Sequence, residues 1–384
     1  MFVGKSLLAS LMISSAVITS SPEGTEVSDS RINATVLVVS EKPEEEAAPQ
    51  ISETSEEETP QDSEKPQESQ EKEKLQKPEE TDSEEEPEET DSGEEPETDE
   101  EEEDSQASEC PVLEGTAMTM LSSQGGAQML SSVIRSENGS LVVVDGGWEA
   151  DGDYLLETIK ENGGTVDAWL ITHPHSDHVG ALYHILKNRS DEVDINGIYY
   201  SFAPIGWYQE VSPEDADMVG RIAGELEKIP EDKLHDSVGK DDKIVVDNLY
   251  ITALNDRYEL STDPVNNSSI AYMVETEGKK VLFLGDMSYD GGSQLGRENG
   301  DSLKADIVQM AHHGQNGVGK ALYDVISPKI CLWPTPQWLW DNDKGNGYNS
   351  GPWKTVETRK WMEDFLKVEK NYCIKDGDIV LQLD

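Results

Sequence analysis

Residues 172–180 read Thr172-His173-Pro174-His175-Ser176-Asp177-His178-Val179-Gly180, and this stretch decides how the rest of the chain is read. Three histidines and one aspartate fall within six residues, directly after the apolar run Ala168-Trp169-Leu170-Ile171. In extended backbone, side chains alternate between faces, so His173 and His175 point the same way while Pro174 restricts the chain between them. Two imidazoles are thereby aimed at one place. Asp177 and His178 follow where a helix is predicted over 179–187, so they approach from another direction, and the loop can hold two metal ions. The chain has seven histidines, five of which lie in this stretch and in the doublet His312-His313. Such clustering argues for metal chemistry over scattered loop polarity.

The 384-residue chain carries a net charge of -50, strongly self-repelling if spread over one compact body. The charge is concentrated instead. Residues 41–109 contain 32 Asp or Glu against 5 Lys, with many Pro, Ser, Thr and Gln and almost no aliphatic side chains. A segment of this kind cannot bury enough apolar surface to offset its ordering entropy, so 22–109 is expected to be a disordered, acidic stalk. Residues 1–21 combine Lys5, an apolar run over 7–18 and then small residues, and so resemble a secretory signal peptide. That run is short for a membrane span. The expectation is a secreted or cell-surface protein with no membrane span in the mature chain. Cys110, Cys331 and Cys373 are odd in number and lack paired spacing, which argues against a disulfide framework or a cysteine zinc site.

Residues 110–384 suit one α/β domain. Strands are predicted at 133–134 and 141–144 around Glu137-Asn138-Gly139, followed by Asp145-Gly146-Gly147, a helix over 153–162 and the strand that delivers His173. A strand near 198–200 precedes a helix over 212–229, with Ser212 as N-cap and Pro213 in its first turn. A hairpin turns at Asp247-Asn248, and strands over 271–275 and 280–284 end in Gly285-Asp286. A strand then leads to His312-His313-Gly314, a helix is expected over 354–368, and a last hairpin at Asp376-Gly377.

The pattern H-x-H-x-D-H, entered from a strand and left by a helix, resembles the signature of metallo-β-lactamase-fold hydrolases. Asn266-Asn267-Ser268-Ser269 before a strand, Gly285-Asp286 after the next and the later His312-His313 are similar to one branch of that fold. That branch includes the hydrolase domain of competence DNA-uptake proteins and the phosphorylcholine esterases. The resemblance implies an αββα sandwich, two mixed sheets with helices outside. It also implies His173 and His175 on one metal, Asp177 and His178 on the other, and Asp286 bridging. One of the doublet should complete a site; His312 is preferred as ligand and His313 as a catalytic, substrate-contacting residue, with the reverse left open. Asp177 would also orient or deprotonate the attacking water. Two divalent ions are implied, with Zn²⁺ expected for nitrogen and carboxylate ligands and Mn²⁺ or Fe compatible.

The sequence departs from the family pattern at one point. Many members carry another metal-binding histidine ahead of the strand entry, where this chain has Asn266-Asn267. His235 is the candidate replacement elsewhere, although its polar loop reads as solvent-facing, and His184 reads as a surface residue.

Residues 110–384 hold 45 acidic and 23 basic residues, a net charge of -22. Nucleic acid is therefore disfavoured, because phosphate binding needs a basic path. A small or cell-surface phosphate ester is the expected substrate, and Trp333, Trp338, Trp340 and the pair Trp207-Tyr208 offer faces for a choline-type cation. The leading expectation is a secreted, dinuclear metal-dependent phosphodiesterase or phosphoesterase. A competence-like extracellular nuclease is the alternative. A third reading, a surface-displayed binding module with a structural or degenerate metal site, has against it that Asp177 and Asp286 are both present.

Overall fold

A computed structural model of the chain describes residues 37–39 and 110–384. The signal-like segment 1–21 and the acidic stalk lie outside the described residues, except for the short strand Leu37–Val39.

Two sheets face each other. The seven-stranded sheet runs, from edge to edge, Ile379–Gln382, Ala117–Met120, Ser131–Arg135, Leu141–Asp145, Ala168–Leu170, Ile198–Tyr199 and Leu234–His235. Its first four strands pair antiparallel and the remainder parallel. The eight-stranded sheet runs Leu37–Val39, Lys243–Val246, Leu249–Ala253, Tyr272–Glu275, Lys280–Phe283, Ile307–Gln309, Ile330–Trp333 and Lys370–Cys373. It repeats the same division, antiparallel and then parallel.

The central strands read as unbroken apolar runs because both of their faces are covered. In the larger sheet, Tyr272, Val274, Val281, Phe283, Ile307 and Leu332 belong to the main core. Their alternate neighbours Met273, Leu282, Val308, Cys331 and Trp333 belong to a second core on the other face. Period-two alternation thus splits each strand between two apolar layers. Helices complete the layers. Helix α1 (Gly152–Glu161) buries Leu155, Leu156 and Ile159 in the main core, and α2 (Ser176–Asn188) buries Val179, Leu182 and Ile185 there. Leu295 of the helix Tyr289–Asn299 and Leu322, Tyr323 and Ile326 of the helix Lys320–Ile326 close the second core. This is the αββα sandwich expected from the resemblance. Among the described residues, no helix is long and apolar enough to cross a membrane.

Three local expectations are corrected. The helix expected over 212–229 is α4 (Ala216–Leu226), which starts four residues later and is preceded by a separate helix, α3 (Ile205–Val211); Ser212, expected as its N-cap, donates its hydroxyl to Asp215 at 2.6 Å in the gap between them. The helix over 354–368 is Thr355–Lys360 running into a wider π-turn segment, Trp361–Leu366. Residues on either side of Asp376-Gly377 form no hairpin. Lys370–Cys373 pairs in the larger sheet and Ile379–Gln382 in the smaller, so the chain crosses between sheets there.

Candidate metal centre

The strand Ala168–Leu170 releases the chain at Ile171, and extended backbone at His175 leads into α2, whose first turn carries Asp177 and His178. An acidic residue suits this first turn, where backbone N–H groups leave partial positive charge. Asp286 arrives from the other sheet, just after Lys280–Phe283. Its approach depends on Gly285, at φ +56°, where a Cβ would sit 2.8 Å from both Ser269 Oγ and the Thr172 Cβ. Only glycine lets the two loops come this close. His313 comes from the turn after Ile307–Gln309, with left-handed backbone at φ 52°.

These side chains converge in two overlapping groups. Asp177, His178, Asp286 and His313, all buried, present ligand atoms within 4.8 Å of one another, and so do His173, His175 and Asp286. His313 Nε2 lies 3.1 Å from Asp177 Oδ2 and 3.1 Å from Asp286 Oδ2, while His178 Nε2 lies 3.2 Å from Asp286 Oδ1. His173 Nε2 and His175 Nδ1 are 3.0 Å apart. Asp286 belongs to both groups, one carboxylate between two nests of imidazole.

The hydrogen bonds at the back of each ring fix which nitrogen faces inward. His178 Nδ1 is 2.7 Å from Asp145 Oδ2, His313 Nδ1 is 3.0 Å from the Pro334 carbonyl, His173 Nδ1 is 3.1 Å from Thr172 Oγ1 and His175 Nε2 is 3.2 Å from Asp215 Oδ2. Thr172 in turn donates its hydroxyl to Asp145 at 2.7 Å and its N–H at 2.8 Å. Carboxylate, carbonyl and hydroxyl partners hold the outer N–H of each ring and leave the inner lone pair free, the usual arrangement around a metal-binding histidine. The inward atoms His178 Nε2, His313 Nε2 and Asp286 Oδ1 are buried without a hydrogen-bond partner. Buried polar atoms in native proteins are almost always satisfied. Ligand atoms about 3.3 Å apart are what a tetrahedral ion with bonds near 2.0–2.1 Å requires. The residues therefore fit a pair of divalent ions.

Electrostatics agree. Burial opposes charge on His178, yet Asp286 and Asp145 beside it hold its pKa well above the ordinary imidazole range. His313, likewise buried, is raised to about 9 by Asp286 and Asp177. Burial also opposes charge on the two carboxylates, but His313 and His178 hold Asp177 low, and the same rings hold Asp286 well below the usual range. His173, boxed in by burial and by His178 and His175, is driven well down. The cluster is a set of carboxylates seeking positive charge.

The structure brings together His173, His175, Asp177, His178, Asp286 and His313. Of the doublet left open by the sequence, His313 stands among the ligand atoms, and His312, the one preferred as ligand, belongs to neither group. The reason is the backbone. Consecutive left-handed residues, His312 at φ 50° and His313 at φ 52°, turn the two rings apart, with centroids 6.1 Å from each other. His312 Nε2 instead lies 3.5 Å from Asn266 Nδ2. His235 stacks on Tyr199 with ring centroids 4.2 Å apart, and His184 pairs with Asp153 at 3.2 Å; neither joins a ligand group. Of the aromatic residues singled out in the sequence, Trp338 is 38% exposed. Trp333 and Tyr208 are fully buried, and the Arg359 guanidinium already covers Trp340 at 4.2 Å.

Two of the supporting carboxylates were missed by sequence reasoning. Asp145 ends a strand in the Asp-Gly-Gly motif that marked the start of the domain, a signal that was visible without its role. Asp215 had no local signal. Gln128, whose Nε2 is 3.4 Å from Asp177 Oδ2, had none either.

Among solved structures, the fold is similar to the metallo-beta-lactamase fold protein YhfI from Bacillus subtilis, at 13% identity over 69% of this chain and 99% of that one, with a TM-score of 0.43. It is also similar to CmlA, a diiron beta-hydroxylase from Streptomyces venezuelae, at 14% identity, 71% and 55% coverage and a TM-score of 0.45. The metallo-beta-lactamase GOB-18 from Elizabethkingia meningoseptica matches at 17% identity, 47% and 69% coverage and a TM-score of 0.32. No curated protein matches the sequence. The family model of the metallo-beta-lactamase superfamily matches residues 125–322, just over half of the chain and every residue of the His and Asp cluster, and the chain belongs to that superfamily.

Proposed function

We propose that the chain is a dinuclear metal-dependent hydrolase of phosphate esters, of phosphodiesterase type. The observation that carries this reading is the position of Asp286, whose carboxylate stands in both ligand groups. His173, His175 and Asp286 would hold one ion; Asp177, His178, Asp286 and His313 would hold the other, His313 taking the place expected for His312. Two ions about 3.5–4 Å apart lower the pKa of a bound water towards 7 and stabilise the attacking and leaving oxygens of a phosphoester.

The chain's own residues do the rest. Asp145, Thr172, Asp215 and the Pro334 carbonyl hold the four rings in register. Asp177, held through one oxygen by His313 and by Gln128, would orient the attacking water. The net charge of -22 over 110–384 favours a small ester over a long polyanion. With Trp333, Tyr208 and Trp340 engaged elsewhere, a choline substituent is not part of the proposal. Residues 1–21, similar to a secretory signal peptide, support action outside the cytoplasm.

The test is hydrolysis of bis-p-nitrophenyl phosphate by the wild type, His175→Ala and Asp286→Ala. Loss of turnover in both variants, with unchanged circular dichroism, is expected. Undiminished turnover in either sinks the reading.

A further inference from the structure

We infer that Asn266, through its side-chain oxygen, is the donor that closes the His173–His175–Asp286 site, where related proteins carry a third histidine. The inference rests on the dinuclear reading above. The second group offers two imidazole nitrogens and two carboxylate oxygens, while the first has two imidazoles and one carboxylate and is one donor short.

Asn266 meets the need on three grounds. Its Oδ1 is buried with no hydrogen-bond partner, although the residue is only 5% exposed. Its amide orientation is fixed, because Nδ2 donates to Asp263 Oδ1 at 2.9 Å, and a carboxylate accepts only from the nitrogen end. Its turn is stitched to both metal-bearing loops: Ile270 N–H donates to Thr172 O at 2.9 Å, and Asp286 N–H donates to Ser269 Oγ at 3.2 Å. The backbone N–H of His312, beside Asn266, donates to Gly285 O at 3.1 Å; its Nδ1 is likewise buried without a partner, but the ring joins neither ligand group.

Asn267 and His235 are already engaged. Asn267 Oδ1 accepts from the N–H groups of Ser288 and Gly291 at 3.0 and 3.1 Å, and its Nδ2 donates to Thr262 O at 2.7 Å, so its amide is a structural brace. His235 is stacked on Tyr199 on an edge strand of the smaller sheet.

With Asn266 counted, each site has two nitrogens and two oxygens. An amide oxygen in place of a third imidazole moves the first site away from zinc and towards oxygen-tolerant ions such as Mn²⁺. The experiment is reconstitution of the full chain with Mn²⁺ and separately with Zn²⁺, followed by elemental analysis and chelator competition, none of which depends on turnover. Wild type should hold two Mn²⁺, Asn266→Ala should lose one or bind it at least about tenfold more weakly, and Asn266→His should hold two ions with the changed site now preferring Zn²⁺. Two Mn²⁺ at unchanged affinity in Asn266→Ala overturn the assignment. If Asn266→Ala binds none, Asn266→Asp decides: two ions, supplied by a carboxylate oxygen of the same reach, uphold it, and none overturns it. A wild type that binds no metal ends the dinuclear reading itself, a result distinct from failure at Asn266.

Discussion

His175 Nε2 and Asp215 Oδ2 lie 3.2 Å apart, and this contact ties the metal loop to the break between two helices 40 residues further along the chain. Burial opposes charge on both, yet the hydrogen bond raises the pKa of the ring and lowers that of the carboxylate. Asp215 is therefore a positioning residue that turns His175 Nδ1 inward. Asp215→Ala should weaken binding at the His173–His175 site by about 10–100-fold, the usual cost of losing a carboxylate behind a ligating histidine. Competition with a coloured chelator reads it, and binding at the other site should stay unchanged.

Asp145 is buried and accepts from the Thr172 N–H, the Thr172 hydroxyl and His178. Removing it leaves these donors without an acceptor in the interior. Asp145→Ala should lower stability by about 3–5 kcal/mol, seen as an earlier midpoint in urea unfolding. A change of less than about 1 kcal/mol, the net worth of an ordinary hydrogen bond, would contradict this.

The same residues show what the sequence could and could not disclose. His173, His175, Asp177 and His178 were legible because a strand-to-helix turn brings neighbours in sequence together in space, and Asp286 because Gly-Asp ends a strand in the matching half. The doublet was ambiguous: two left-handed residues in succession decide which ring faces the ions, and composition does not encode that. Asp215 was invisible because its segment reads as the first turn of a helix from Ser212, whereas α4 begins only at Ala216 and leaves Asp215 in the gap after α3, where it reaches His175. The tryptophans looked available because proximity in sequence says nothing of whether Trp333 is buried or Arg359 lies over Trp340.

Protons and cations compete for the same lone pairs here. His178 is held well above its ordinary pKa and His313 at about 9, so an ion taken up by the group of Asp177, His178, Asp286 and His313 near neutral pH releases protons. Apparent affinity at that site should rise with pH from neutral through about 9, where His313 gives up its proton. Metal-free protein should behave in the opposite sense. A raised folded pKa gives stability that is fully present below the unfolded histidine value of about 6.5 and is lost as pH climbs through the folded value. Calorimetric titration in buffers of different ionisation heat gives the proton count, and a pH-independent affinity would contradict it.

The doublet gives a paired test. His313→Ala should lose an ion, whereas His312→Ala should keep the ion of the second site, because His312 belongs to neither ligand group. Elemental analysis separates them, and the reverse pattern would restore the order expected from the sequence.

Gly285→Ala would place a Cβ 2.8 Å from Ser269 Oγ and from Thr172 at a positive φ. A cost of about 1–3 kcal/mol for the backbone alone is expected, with the clash adding to it. Both Tm and metal retention should fall together, since Asp286 moves with this residue.

The most direct measurement is the metal content of the purified full chain, taken with its hydrolysis of bis-p-nitrophenyl phosphate before and after chelation. Two ions per chain and turnover that disappears with chelator and returns with Mn²⁺ or Zn²⁺ are predicted. A chain that takes up no metal on reconstitution, or one whose turnover is indifferent to the chelator, would contradict a dinuclear hydrolase built around Asp286.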